Sequence, residues 1–184
     1  MDTNIYIKKK PLVMALSVAL LSTSQLTYAA DDTISGAVYD ADQVITLPQE
    51  GKSRIKDSAF TNSSSLELGK NSNSNQNIFS DKSSQMINGV PIPSGLLPDL
   101  TTPSAISEYD TFNDESGQLV MSGGSTHGTF SGQSRQFITS KNASSSHAIF
   151  SDKSEQTVSG GGSLQTHHFI MILFRTLEQA PVLM

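Results

Sequence analysis

The chain has 184 residues and contains neither cysteine nor tryptophan. The lack of cysteine excludes a small exported domain held together by disulfides, and it also excludes a metal site built from thiolates. Charged residues make up only 16% of the chain, and the net charge is −5. Because positive charges are so few, no basic stripe is available to neutralise phosphates, and nucleic acid is not a predicted partner.

Polar, uncharged residues take the place of the missing charges. Serine occupies 30 positions, and hydrophobic residues make up 36% of the chain. This composition differs from that of a leucine-rich helical protein and from that of a highly charged disordered chain. It favours short β-strands separated by many turns.

An internal copy is the strongest signal in the sequence. Residues 78–83 read IFSDKS, and residues 149–154 repeat the same six letters. Over the wider windows 70–89 and 141–160, the two segments agree at 11 of 20 positions. Self-similarity of this kind predicts a stacked repeat, which offers long surfaces more readily than a single catalytic pocket.

A regular period runs through the C-terminal part of the chain. It connects four sets of residues: His127, His147 and His167; Phe130, Phe150 and Ile170; Gln136 and Gln156; and Ile138 and Val158. In a parallel β-helix with one rung per period, equivalent residues stack at roughly 4.8 Å. The pattern therefore predicts an all-β solenoid, a right-handed parallel β-helix with rungs of about 20 residues. Phe130, Phe150 and Ile170 are expected to form one internal apolar column, and Ile138 and Val158 another.

Residues 1–29 are predicted to be a signal peptide. Residues 8–10 supply its basic region, residues 12–21 its apolar region, and residues 27–29 the small side chains that precede a cleavage site. The apolar region is too short to span a membrane as a helix, which requires about 20 residues. An N-terminal membrane anchor is the alternative interpretation.

Composition divides the exported part into four segments. Residues 30–89 are predicted to hold the first coils, with strands around Val38, Val44–Leu47 and 66–68 and a polar turn or loop at 70–77. Residues 90–118 are acidic and carry four of the seven prolines, which predicts a protruding loop or connection. A strand-poor extension along the surface of the coils is the alternative. Residues 119–170 return to the repeat. Residues 171–184 form an off-pattern tail, interpreted either as a terminal strand or cap or as the product of a shifted reading frame.

Short strands and turns alternate within the repeat. Strands are predicted at 119–121, 137–139 and 156–158, and turns follow at 122–125, 140–143 and 159–163. Glycine and asparagine are frequent in these turns because they tolerate the positive φ that tight turns require.

The export signal, the missing cysteine and these repeats together resemble the passenger of AIDA-type autotransporter adhesins. That family comprises self-associating and diffuse-adherence surface proteins of Gram-negative bacteria. Residues 120–125, 135–138 and 155–162 carry the resemblance, which covers 119–166 with a weaker echo at 59–89. It implies a right-handed β-helix at the cell surface that mediates adhesion, autoaggregation or biofilm formation. The implied partners are other cells, the same passenger or a host surface, and the implied modification is heptose on repeat serines and threonines.

The chain departs from that family in one large respect. Family members end in a membrane barrel of about 12 strands, each with about 9–11 residues of alternating apolar character, and no such run of strands is recognised here. We therefore expect an N-terminal passenger fragment without an outer-membrane anchor, partial or non-functional as it stands, that stays in the periplasm.

Candidate chemistry is sparse, and no catalytic, cofactor-binding or metal-binding residue is predicted. His127, His147 and His167 suggest a metal site, but a straight column does not surround a tetrahedral centre, and a solvent-facing or turn-facing stack is the alternative. The recurring pairs Asp81–Lys82 and Asp152–Lys153 are interpreted as a solvated edge, since adjacent strand residues face opposite ways. Two further functional hypotheses stay open: an exported β-helical enzyme acting on polysaccharide, and an inactive remnant.

Overall fold

A computed structural model describes residues 25–27, 32–47, 52–89, 105–169 and 175–177 of the chain. These residues form strands and turns, so no helix among them is long and apolar enough to cross a membrane. The strands in chain order are β1 (Gln25–Thr27), β2 (Thr33–Ser35), β3 (Val38–Tyr39), β4 (Val44–Leu47), β5 (Arg54–Lys56), β6 (Ala59–Phe60), β7 (Ser65–Leu68), β8 (Asn73–Asn75), β9 (Ile78–Phe79), β10 (Ser84–Asn88), β11 (Ile106–Glu108), β12 (Thr111–Phe112), β13 (Gly117–Thr126), β14 (Thr129–Phe130), β15 (Arg135–Ile138), β16 (Ala143–Ser146), β17 (Ile149–Phe150), β18 (Glu155–Val158), β19 (Ser163–Gln165), β20 (His168–Phe169) and β21 (Arg175–Leu177).

The strands stack into three parallel sheets. Sheet A contains β1, β4, β7, β10, the first half of β13, β15, β18 and β21. Sheet B contains β2, β5, β8, β11, the second half of β13, β16 and β19, and sheet C contains β3, β6, β9, β12, β14, β17 and β20. The chain passes through sheets B, C and A in that order. Because each pass lies directly on the one before, the fold is a parallel β-solenoid, as predicted.

The described residues form seven layers of this solenoid, each with one strand in every sheet. They span residues 33–47, 54–68, 73–88, 106–120, 124–138 and 143–158, and a last layer is described at 163–169 and 175–177. They are called layers 1 to 7. The step from one layer to the next is not constant. Ala59 pairs with Ile78, whereas Thr129 pairs with Ile149, so the second of these steps is longer by a single position.

Alternation along each strand builds the core. In β7, Leu66 and Leu68 are buried, whereas Ser65 and Glu67 between them are partly exposed. Successive side chains of a strand point to opposite faces, so every second residue enters the interior. A single layer has no opposing sheet that covers its apolar side, so stability accumulates from contacts between neighbouring layers.

A stack of aromatic rings fills the inner side of sheet C. It contains Tyr39, Phe60, Phe79, Phe112, Phe130, Phe150 and Phe169, with centroid separations from 4.6 to 5.4 Å. The predicted stacking of Phe130 on Phe150 is confirmed, as is the pairing of Ile138 with Val158.

The third member of the predicted phenylalanine column was wrong. Phe169, not Ile170, is the register partner of Phe150. The reason is that the step from Phe150 to Phe169 is one position shorter than the step from Phe130 to Phe150. Ile170 itself lies outside the described residues.

The predicted loop at 90–118 does not extend over its second half. Residues 106–118 form β11, β12 and the start of β13, and Phe112 takes its place in the aromatic stack. The period is hidden there because the step from Phe79 to Phe112 is much longer than the steps on either side of it. Residues 90–104 lie outside the described part of the chain.

Two predicted turns are strands. The polar segment 70–77 contains β8, whose central Ser74 is buried. Its inward hydroxyl forms hydrogen bonds instead of apolar contacts, so the hydrophobic pattern carries no trace of the strand. Residues 122–125 lie within β13, which continues from sheet A into sheet B.

The remaining segment boundaries stay predictions. Of the predicted signal peptide, only Gln25–Thr27 is described, as a strand that pairs with Val44–Thr46. Of the off-pattern tail, only Arg175–Leu177 is described, and it pairs with Gln156–Val158.

Candidate functional site

One corner position is occupied by a left-handed residue in every layer. It lies between sheets B and C and comprises Gly36, Asp57, Gln76, Tyr109, His127, His147 and Thr166, all with φ between 41° and 68°. Three of these residues carry rings that stack along the solenoid. Tyr109 lies 4.7 Å from His127, and His127 lies 4.8 Å from His147, between ring centroids. All three are exposed, and we call them the ring column.

The predicted histidine column is therefore correct for two of its three members. His167 was placed wrongly, because Ile149 pairs with His168 and the corner position of layer 7 falls on Thr166. His167 follows that corner and turns inward, where it contacts Gln156 and the backbone oxygen of Ser145.

The geometry of the ring column does not chelate a metal. The rings of His127 and His147 are nearly parallel, with 7° between their planes, and Nδ1 of His127 is 2.8 Å from the hydroxyl of Thr126. A tetrahedral centre needs ligands that converge from different directions. Within the described ranges, no group of three or more histidines, aspartates and glutamates is placed to hold a metal ion.

An uncharged lane runs beside the ring column on the outer side of sheet C. Its members are Val38, Ala59, Ile78, Thr111, Thr129, Ile149 and His168, one from each layer. Val38 is 67% exposed and Ile78 is 50% exposed. We call this set the sheet C face. Ile149 is the third exposed apolar member. Exposed apolar side chains gathered on one surface are typical of an interaction site.

The opposite rim of the sheet C face is polar and partly charged. Asp81 and Asp152, from the two copies of the repeat, occupy equivalent corners with φ of 57°. Lys82 is exposed and lies 4.0 Å from Glu115. The structure thus places the Asp–Lys pairs on a solvated edge, as predicted.

Asp40 at the same rim is held by its neighbours. Its carboxylate accepts hydrogen bonds from the side chain of Asn62 at 2.6 Å, the backbone of Ala41 at 2.8 Å and the side chain of Thr61 at 3.1 Å. These hydrogen bonds, that from Asn62 first, lower the pKa of Asp40. Because Asp40 is anchored and ionised, it is not placed to act as a general acid.

A broad depression of about 550 Å³ opens beside Asp40. Asp42, Asp81 and other corner residues line the rest of it. It is a shallow feature of the rim rather than an enclosed pocket.

A second carboxyl group is sealed inside the solenoid. Oδ2 of Asp110 accepts hydrogen bonds from the hydroxyls of Ser74 and Ser107 and from Nε2 of Gln85. Oδ1 accepts them from the backbone and side-chain nitrogens of Asn77. Burial raises the pKa of Asp110, and these hydrogen bonds oppose the rise. Full burial keeps this carboxyl away from any polysaccharide substrate.

The sequence carried a partial signal for this interior network. Gln136 and Gln156 follow the regular period, but their column continues to Gln118 and Gln85 through the unequal steps that the irregular layers introduce. Asp110 falls within the segment that was interpreted as a loop, and no spacing rule pointed to it.

Comparison with protein-family models, with curated proteins and with solved structures found no match to this chain.

Proposed function

We propose that this chain is an adhesive passenger module of an exported bacterial surface protein, and that it acts by lateral contact through the sheet C face. The observation that carries the proposal is the lane of outward side chains, none of them acidic and none from lysine or arginine, that repeats in register over seven layers. Val38, Ile78 and Ile149 are its exposed apolar members. The family resemblance of the repeats, noted from the sequence, agrees with this function.

The sheet C face suits lateral contact better than the outer side of sheet A. On sheet A, Arg135 and Glu155 form an ion pair at 3.4 Å, and Glu67 is also outward. Removing such charges from water on contact costs free energy that an uncharged lane does not cost. On the sheet C face, each layer contributes one uncharged side chain, and weak contacts add over the layers by multivalency.

A solenoid of this kind also supports adhesion better than catalysis. Two cavities in the described part of the chain are shallow corner depressions. One is lined by Asp40, Asp42 and Asp81, and the other, of about 190 Å³, by Lys52, Arg54 and nearby asparagines. The carboxyl with the raised pKa, Asp110, lies in neither of them. We therefore favour a binding module over a polysaccharide-cleaving enzyme.

Bead clustering tests this proposal with the full chain. Purified protein is coupled to microbeads through surface lysines, and cluster size is counted by microscopy. We expect wild-type beads to cluster, and Ile78→Lys to abolish most of the clustering because it places a charge in the middle of the sheet C face.

The matched control is Ser65→Lys, which adds the same charge on the outer side of sheet A. Clustering should persist in this variant. Wild-type beads that stay single, or equal clustering in Ile78→Lys and wild type, would show that the sheet C face is not adhesive.

A further inference from the structure

Four buried glutamines form a hydrogen-bonded ladder along the inner side of sheet A. Nε2 of Gln156 donates to Oε1 of Gln136 at 2.7 Å, Nε2 of Gln136 donates to Oε1 of Gln118 at 2.6 Å, and Nε2 of Gln118 donates to Oε1 of Gln85 at 2.6 Å. We call this set the amide ladder. Every donor in it points toward layer 3, so the ladder has a direction.

Asp110 lies at the receiving end of the amide ladder. Nε2 of Gln85 donates to Oδ2 of Asp110 at 2.9 Å. An ionised carboxylate accepts hydrogen bonds and donates none. It therefore requires that Gln85 present its nitrogen, and each glutamine then fixes the orientation of the next.

His167 lies at the other end, three layers away. Nε2 of Gln156 is 3.2 Å from Nδ1 of His167, and Nε2 of His167 is 3.1 Å from the backbone oxygen of Ser145. An amide nitrogen only donates, so Nδ1 of His167 must accept. The ring proton is then on Nε2, and the imidazole is neutral.

We propose that Asp110 sets the charge state of His167 through the amide ladder, and that this makes the seam between layers 6 and 7 sensitive to acid. A proton on Nδ1 of His167 faces the amide nitrogen of Gln156, which leaves two donors opposed. Rotating the amide of Gln156 removes that conflict but sets its oxygen against the oxygen of Gln136.

Rotation of the whole ladder moves the conflict to its other end. Gln85 then presents its oxygen to the carboxylate of Asp110, and two acceptors are opposed. While Asp110 is ionised, the ladder therefore holds His167 in its neutral form. Acid that charges His167 breaks its contact with Gln156 and loosens layer 7.

The charged or titratable residues described on the strands next to His167 are Glu155, His168 and Arg175. Glu155 of β18 points outward and pairs with Arg135 at 3.4 Å, and His168 of β20 is exposed on the sheet C face. The backbone of Arg175 in β21 pairs in register with Gln156. Near Asp110, Glu108 of β11 accepts a hydrogen bond from Asn73 at 3.2 Å on the outer side. These groups are present in wild type and in every variant proposed below, so they do not change between arms of the test.

Nuclear magnetic resonance of the ¹⁵N-labelled chain tests the coupling directly. In wild type at neutral pH, we expect the His167 ring to carry its proton on Nε2. In Asp110→Asn, whose amide offers both a donor and an acceptor, the ladder is free to rotate. The titration midpoint of His167 should then rise by roughly one pH unit, the equivalent of about one hydrogen bond.

Two further variants serve as a control and as a second interruption of the amide ladder. Asp114→Asn removes a carboxylate from the exposed corner of the same layer and should leave the His167 midpoint unchanged. Gln118→Leu interrupts the ladder between Asp110 and His167 and should raise the midpoint of His167. This variant tests the proposal whether or not Asp110→Asn folds. Leucine fits at this position because Leu66 fills the equivalent position in layer 2. An unchanged midpoint in Gln118→Leu, or a wild-type ring proton on Nδ1, overturns the proposal.

Discussion

The rings of Phe130 and Phe150 stack at 4.7 Å with 9° between their planes, so residues from two successive layers lie directly on one another. Both side chains are fully buried. A charge introduced into this stack is removed from water, and it interrupts the aromatic contacts of two adjacent layers.

Phe150→Asp is therefore expected to destabilise the fold by about 4 kcal/mol or more. The measurement is chemical unfolding followed by far-UV circular dichroism, with protease resistance as a second readout. Ile149→Asp is the matched control, since Ile149 is the neighbouring residue on the outer side of the same strand. It should cost about 1 kcal/mol or less. Equal effects of the two substitutions would contradict the inward assignment of Phe150.

A pair of glycines separates backbone strain from steric clash. Gly36 and Gly132 have φ of 68° and 67°, so alanine incurs the same left-handed penalty at both, about 1–2 kcal/mol. A Cβ at Gly36 meets nothing within 4 Å, whereas a Cβ at Gly132 lies 2.8 Å from the backbone nitrogen of Asp114.

We expect Gly132→Ala to lower the free energy of unfolding by at least about 1 kcal/mol more than Gly36→Ala. Thermal and urea unfolding of the two variants measure the difference. Equal losses would show that layers 4 and 5 are not in contact at this corner.

Asp110 predicts a pH dependence of stability. Burial raises its pKa, so the folded chain keeps this proton to a higher pH than the unfolded chain. The stabilising contribution of Asp110 is complete at a pH below the ordinary pKa of a carboxyl group, about 4. It is lost as the pH rises through the pKa of Asp110 in the folded chain. Asp110→Asn lacks this group, so wild type should lose stability relative to the variant as the pH rises from about 4 to about 5, below the range in which histidine loses its proton.

Urea unfolding at a series of pH values checks this expectation. Asp114→Asn serves as the control, because its carboxylate lies at an exposed corner and its removal should give a difference that hardly changes over the same range. A wild-type advantage over Asp110→Asn that grows with rising pH would reverse the predicted sign.

Export makes a prediction for the N-terminus. If the signal peptide is cleaved after Ala29, the mature chain begins at Ala30 and loses β1, which pairs with β4. Intact-mass measurement of periplasmic protein should give a chain shortened by residues 1–29, and Ala29→Arg should block processing. Full-length protein in the cytoplasm would argue for a chain that is not exported.

Sequence patterns predicted those parts of the fold that depend on apolar residues at regular spacing. Phe130, Phe150, Ile138 and Val158 were found because each is large, apolar and separated from its partner by the same step. Each lies in the core where the pattern placed it.

The patterns failed where layers change length or where the interior is polar. The shorter final step moved the third aromatic position from Ile170 to Phe169 and the corner from His167 to Thr166. Asn73–Asn75 and Asp110 were missed for a different reason. Their inward groups are satisfied by hydrogen bonds across layers, and such partners are not visible in a hydrophobic pattern.

The outer surface was harder still to predict. That His127 and His147 form a column followed from their spacing, but Tyr109 joins them across a shorter step. Val38 and Ile78 lie on one face because Ala59 pairs in register with both of them. This pairing can be recognised only once the layers are known.

The distance between the two copies of IFSDKS tests the stacking of the layers with the fewest assumptions. Because the chain has no cysteine, nitroxide labels can be attached at Ile78→Cys and Ile149→Cys alone, on the sheet C face of layers 3 and 6. Three strand spacings of about 4.8 Å separate the two backbones by roughly 14 Å. Pulsed dipolar spectroscopy on dilute protein should therefore give one narrow distribution below about 25 Å, after allowance for the label linkers. A broad distribution, or a single distance well beyond that range, would show that the layers do not stack like on like.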